Sequence, residues 1–319
     1  MIAALLLVLA VPKEATAKAP EIAFTLPDMD MIAEDLAYEA GRARFLVSSV
    51  HRGGIDAIDS KGQVTRFVPF GANDAWGIFA IGVDEKRQLL WAATAAMSVS
   101  ANFKASDAGR SSLLVYDLGT GEFRGRYLPP DEGAHAFGDL TVSPAGDVYL
   151  SDGIGSGVYV LPAGAGALRV LVPRGVLKSP QTPALSEDGL TLFIPDYGKG
   201  IAAVSVKTGK LRWLEHEAGM ILQGIDGMVL WKSSLLAVQN GVSPNRVVRL
   251  TLDAAKERVE RLEVVARTGI ATDLTHAAVS GPWLYFIVKA GWDRARDDGT
   301  MKPGTEPPAV ARVRLREAP

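Results

Sequence analysis

Apolar and polar positions along this chain alternate in short runs that are broken again and again by Gly, Pro, Asp and Ser. A two-residue period punctuated this often predicts half-buried strands joined by tight turns. The stretch GDLTVSPAGDVYLSDG from Gly138 shows the scheme: an apolar strand, the turn Ser143-Pro144-Ala145-Gly146-Asp147, a second strand, a glycine loop and a third strand, VYVL. Proline and glycine in that turn suit a tight hairpin connection. The same scheme recurs six times, opening at Glu34, Trp76, Gly138, Gln181, Ile225 and Thr272. The second residues of these cassettes, Asp35, Gly77, Asp139, Thr182, Asp226 and Asp273, lie 42, 62, 43, 44 and 47 residues apart. A period of that size built from short strands is the signature of a propeller blade.

The chain is therefore expected to be all-β: a six-bladed β-propeller of four-stranded antiparallel blades in one domain over residues 18–319. EIAFTL at Glu21 to Leu26 precedes the first cassette without a sheet of its own, while the sixth ends at ARVRLRE short of a fourth strand. Pairing the two would close the ring and leave no bare edge. The 62-residue spacing implies an insertion at Ala95 to Arg110, and Asp293 to Pro308 forms a second. Loops of that length in an economical fold are commonly functional. The nearest approach to a helical segment, Asp253 to Arg258, reads as a hairpin extension.

Residues 2–11 are uniformly apolar but too few to span a bilayer, which takes about 20 residues, and Ala15-Thr16-Ala17 follows. This reads as a signal peptide over residues 1–17, although no Lys or Arg precedes the apolar run. A soluble exported protein, periplasmic or secreted, without stable membrane insertion is expected. Charge is nearly balanced, 34 Lys plus Arg against 36 Asp plus Glu, which argues against a nucleic-acid partner. The absence of cysteine removes disulfides, thiolate metal sites and a cysteine nucleophile. There is no G-x-S-x-G elbow and no H-E-x-x-H helix, and GIGSG at Gly153 lacks the lysine of a phosphate loop. Oligomeric state is not legible.

Propeller ligands bind on the axis, at the segments that enter the innermost strands. Glu34, Asp35, Trp76, Asp139, Gln181, Asp226 and Asp273 open cassettes, with His135 and His276 close by. Several carboxylates and an amide converging on one point resemble an oxygen-rich cation site suited to Ca²⁺. The alternative for each Asp is a turn cap bonded to nearby backbone N–H groups. His135, in GAHAFGD, has the side chain whose ordinary pKa suits a base near neutrality. Asn240 in VQNG, Trp76, Asp139, Asp273 and His276 are candidate substrate contacts.

On these cassettes the chain resembles the senescence-marker-protein-30/gluconolactonase family of six-bladed propellers, over nearly all of residues 21–317. In that family a Glu opening the first blade, an Asn opening a middle blade and an Asp in a DGM-like text hold a divalent metal. The resemblance implies metal ligands at Glu34 in AEDLAY, Gln181 in SPQTPALSEDG and Asp226 in GIDGMVL. Two departures matter. Gln181 is one methylene longer than Asn, and Gly138 in FGDLTVSPAG stands where the family has the Asn of an Asn-Asp pair, with Asp139 retained. The implied function is an exported, divalent-metal-dependent hydrolase acting on a lactone or related ester, with His135 and Asp226 as catalytic residues. The alternative is a non-catalytic propeller that binds a small molecule, a glycan or a protein.

Overall fold

The computed structural model describes residues 19–267 and 273–316, so the expected signal peptide and domain start lie outside the described residues. Six antiparallel sheets follow one another around a ring. Blade 1 runs from Ala33–Glu39 at the axis outward to Val64–Val68, blade 2 from Gly77–Asp84 to Phe123–Tyr127, and blade 3 from Phe137–Val142 to Arg169–Val172. Blade 4 runs from Ala184–Leu185 to Leu211–Trp213, and blade 5 from Ile225–Trp231 to Arg258–Arg267. Blade 6 holds Ala277–Ser280, Trp283–Lys289 and Ala309–Arg314, and Glu21–Thr25 completes it. Glu21 pairs with Arg312 and Thr25 with Ala309. The ring thus closes as the bare strand edges at its two ends require, since each supplies the ladder partner the other lacks.

Blade 5 departs from the four-stranded expectation. Glu215–His216, in the connection leaving blade 4, adds a two-residue parallel strand beside Arg258–Val259. Among the described residues, helical geometry is confined to three 3₁₀ turns, at Ala72–Asp74, Ala105–Asp107 and Trp292–Arg294. No described helix is long and apolar enough to cross a membrane. Asp253 to Arg258 is the hairpin between the two outer strands of blade 5.

The core is radial. Each junction between neighbouring blades has its own apolar cluster, such as Ile78, Leu90 and Leu46 between blades 1 and 2 or Val238, Leu284 and Phe286 between blades 5 and 6. Burying both faces of every blade this way removes apolar area from water without a single central core. A seventh, smaller cluster lies off this pattern. Ile32, Val50 and Val99 pack with Phe79, Met97, Trp292 and Met301, where the two inserted loops meet above blades 6, 1 and 2.

The innermost strands carry a shared irregularity. Their register slips between Ala33 and Leu36, Ile78 and Ala80, Phe137 and Asp139, and Ile225 and Met228. Each slip is a β-bulge, which re-aims the side chain that would otherwise alternate up and down the sheet. The residues involved are Glu34 and Asp35, Phe79, Gly138, and Asp226 and Gly227. Four blades therefore present their cassette openings to the axis by the same backbone device.

Candidate functional site on the propeller axis

Four inner strands bring Glu34 and Asp35 (blade 1), Asp139 (blade 3), Asp226 (blade 5) and His276 (blade 6) into one buried cluster. His276 is at its centre and only 2% exposed. Its Nδ1 stands 3.1 Å from Asp35 Oδ1, and its Nε2 is 3.2 Å from Asp139 Oδ1 and 4.0 Å from Asp226 Oδ1. Thr182 Oγ1 donates to Asp139 Oδ1 (2.6 Å) and lies 3.3 Å from His276 Nε2. The Nδ1 contact to Asp35 is an ion pair off the line of a straight hydrogen bond. Asp35 is itself fixed by the N–H groups of Leu36 (2.8 Å) and Ile81 (2.7 Å).

Glu34 and Asp226 face a second set of partners. Trp292 Nε1 donates to Glu34 Oε2 at 2.6 Å, across a sequence separation of 258 residues. Asn240 Nδ2 donates to Asp226 Oδ2 (2.7 Å) and to the Leu274 carbonyl, while Tyr197 OH donates to Asn240 Oδ1 (2.9 Å). The inner strands of blades 5 and 6 approach closely here because residue 227 has no side chain. A Cβ on Gly227 would stand 2.7 Å from His276 Cα and 2.9 Å from the Thr275 carbonyl. Below the cluster, a cavity of about 450 Å³ continues along the axis between the inner strands of all six blades, with Asp35 and Thr182 on its wall.

The electrostatics are lopsided. Four carboxylates surround one imidazole, and burial penalises every charge among them. Burial, reinforced by the Asp226 charge, pushes Glu34 up to about 8 despite His276 and the Trp292 hydrogen bond. Burial also raises Asp226 to about 6, with Asp139 adding to the rise and His276 and Asn240 opposing it. For His276, burial disfavours the charged ring, but Asp35 and Asp139 outweigh it and hold the pKa well above the usual value. The cluster thus keeps protons to limit its own negative charge. A divalent cation would serve the same purpose.

The residues present fit such an ion. One ligand atom each from Glu34, Asp226 and His276 lie within 4.8 Å of one another. One buried and one half-buried carboxylate with raised pKa values, and an imidazole whose far nitrogen faces a carboxylate, form a chemically sensible donor set. Sequence reasoning picked Glu34 and Asp226 as ligands and His276 as a neighbour of the axis. Asp139 and Asn240, also candidates, lie in the cluster and against Asp226, whereas the others are dispersed. The Gln181 amide nitrogen is bonded to the Ser179 carbonyl and hydroxyl, and it is the next residue, Thr182, that reaches Asp139. His135 is buried in blade 3, with Nδ1 2.6 Å from Asp152 Oδ2 and Nε2 3.0 Å from Arg174. Trp76 lies under the 95–110 insertion, its Nε1 3.3 Å from Asp107. Asp273 caps the turn that follows the strand Trp283–Lys289 of blade 6, accepting from the Gly291 N–H (3.0 Å), and burial raises its pKa. Asp35, Thr182, Tyr197 and Trp292 complete the site. Of these, Asp35 and Thr182 carried a sequence signal, each as the second residue of a cassette.

Comparisons with known proteins place this geometry in a fold. No family model matches the chain, and no curated protein matches it in sequence. Among solved structures it is similar to a gluconolactonase from Xanthomonas campestris, with a TM-score of 0.61 at 16% identity over 95% of this chain and 97% of that one. It is also similar to a putative glucose dehydrogenase from Thermus thermophilus (0.61, 15%, 92% and 99%). A third likeness is to a catalytically inactive His-to-Ala variant of virginiamycin B lyase from Staphylococcus aureus (0.58, 13%, 82% and 79%). At these identities the likeness is one of fold alone.

Proposed function

We propose that this chain is an exported, divalent-cation-dependent hydrolase that opens a lactone or related ester at the axial mouth. The observation that carries the reading is the convergence of Glu34, Asp226 and His276, from three separate blades, on one buried point. Glu34 and Asp226 would be the anionic ligands, and His276 Nε2 would be the third donor once its proton has left. The nitrogen donor makes Mn²⁺ or Zn²⁺ a better match than the Ca²⁺ expected from an all-oxygen set. The chemistry such an ion would supply is Lewis-acid polarisation of the scissile carbonyl and stabilisation of the oxyanion. Asp226 is the most exposed of the carboxylates around His276, its side chain 15% accessible, so it is the one that meets incoming water. Asn240 keeps Asp226 Oδ2 fixed, so Oδ1 is the oxygen that faces His276 Nε2. Asp35 orients the His276 ring from behind, as carboxylates do behind ligating imidazoles.

The test is a chelator-stripped sample of the full chain titrated with Mn²⁺, Zn²⁺ and Ca²⁺ and assayed on a lactone and aryl-ester panel. Cation-stimulated ring opening supports the reading. A stripped protein that binds no divalent ion and turns over no ester would leave only a ligand-binding propeller.

A second reading, ring opening by elimination, is supported by one feature. His276 sits on the axis between two carboxylates, and the lyase variant with the similar fold is inactive without a histidine. Product analysis separates the two: hydrolysis adds the oxygen of labelled water, whereas elimination leaves an alkene and adds none.

A further inference from the structure

Beside the cation cluster, the axial mouth is apolar on one side and bare on the next. Blade 2 has a bulge where blades 1 and 5 have theirs, but the bulged residue is Phe79 instead of a carboxylate. Its ring centroid lies 6.4 Å from that of Trp292, the residue that bonds Glu34. Met97 and Met301, one from each inserted loop, pack into the same half-buried group. The loops lock together there, with a Cβ at Gly299 falling 3.3 Å from both the Ser98 and Ser100 carbonyls. In the bulge of blade 3 the side chain is missing altogether. A Cβ at Gly138 would meet only the Ala136 carbonyl at 4.0 Å, so open space lies in front of it.

We infer that this sector selects substrates with an apolar substituent, aryl or medium-chain alkyl, over polyhydroxylated lactones. The inference rests on the hydrolase reading and names its substrate class. A sugar ring placed against Phe79, Trp292 and the two methionines would have its hydroxyls stripped of water without replacement partners, which is costly. An apolar substituent against Phe79, Trp292 and the methionines gains burial instead, Gly138 leaves room beside it, and sulfur and aromatic surfaces adapt to varied shapes. The wall reaches the cation cluster directly, because Trp292 holds Glu34 with its N–H and presents its ring to Phe79. A substituent on that wall therefore lies next to the proposed reacting carbonyl.

Lactams, which resist hydrolysis, separate binding from turnover. Calorimetric titration of the metal-loaded full chain with a phenyl- or hexyl-substituted γ-lactam and with a gluconolactam should show the apolar ligand binding roughly 10-fold or more tightly. Phe79→Asn combined with Gly138→Asn should narrow or reverse that ratio. Phe79→Leu, which preserves packing, should retain it for the hexyl ligand and reduce it for the phenyl one. Tighter binding of the gluconolactam, a ratio unmoved by the double variant in a folded protein, or no lactam binding at all would overturn the inference. Apolar lactam binding without turnover of any ester would sink the hydrolase reading alone, and turnover with a polyhydroxyl preference would sink the substrate class alone.

Discussion

Two buried histidines in this propeller have carboxylate partners, and their surroundings could hardly differ more. His135 belongs to a closed network. Asp152 accepts from its ring and from the N–H groups of Ala136, Ile154 and Gly155, while Arg174 bonds the ring and the carbonyls of Glu132 and Ala134. Asp131 completes it through the Tyr159 hydroxyl. Two carboxylates there meet one guanidinium, one imidazole and a fan of backbone donors. At His276, four carboxylates share a single imidazole, and the shortfall appears as the raised pKa values of Glu34 and Asp226. Buried polar groups balanced in charge make structure, whereas a cluster with an excess of one sign is where an ion or a reacting group has something to do.

The largest expected effect separates the two regions outright. Asp226→Ala removes an anionic ligand, and we expect cation affinity to fall by at least about 100-fold, with turnover lost; calorimetry and an ester assay read both. Undiminished activity in that variant would mean the reaction occurs elsewhere. Exchanging the two histidines for glutamine sharpens the contrast. His135→Gln should cost about 2 kcal/mol of stability, because it opens a charged hydrogen-bond network, and leave the activity per folded molecule intact. His276→Gln should instead weaken the cation by about 10- to 100-fold, with activity falling alongside. Denaturant melts run beside kinetics would show whether the roles are reversed.

A smaller effect follows from pH. Glu34 and Asp226 have folded pKa values raised above their unfolded ones, and His276 likewise, so each adds stability that is full at low pH. That stability is lost as pH rises through Asp226 at about 6 and Glu34 at about 8. The cation-free protein should therefore melt at lower temperature at pH 8.5 than at pH 5.5. Saturating divalent cation should flatten or invert that slope, since the ion takes the place of the protons it displaces. An apo melting curve flat across this range would break the electrostatic account. The smallest expected change is Gln181→Asn. Because the glutamine amide is tied to Ser179, shortening it should alter cation affinity by less than about threefold, within the scatter of neutral surface changes. A strong tightening would restore Gln181 to the coordination shell.

The architecture was legible because it repeats: alternation gave the strands, a near-constant period gave six blades, and the orphan strand at Glu21 had only one edge to complete. Glu34 and Asp226 were legible too, as carboxylates at blade openings in texts that match the ligand positions of the family the chain resembles. The rest of the site was not. Alternation assigns successive residues to opposite faces, and a bulge cancels that rule locally, so text alone does not say that Phe79 shares the orientation of Glu34 or that Thr182 replaces Gln181. His135 and His276 looked equivalent as histidines near cassette openings. What set them apart was the company each keeps across blades: Asp152 and Arg174 for one, Asp35 and Asp139 for the other. Those partners, like Trp292 on Glu34, lie far apart in the chain. Local sequence determines the strands and their repeat, because those depend on side-chain period and turn chemistry. Charge balance at the axis depends on distances that exist only once the ring has closed, and tertiary structure alone decides it.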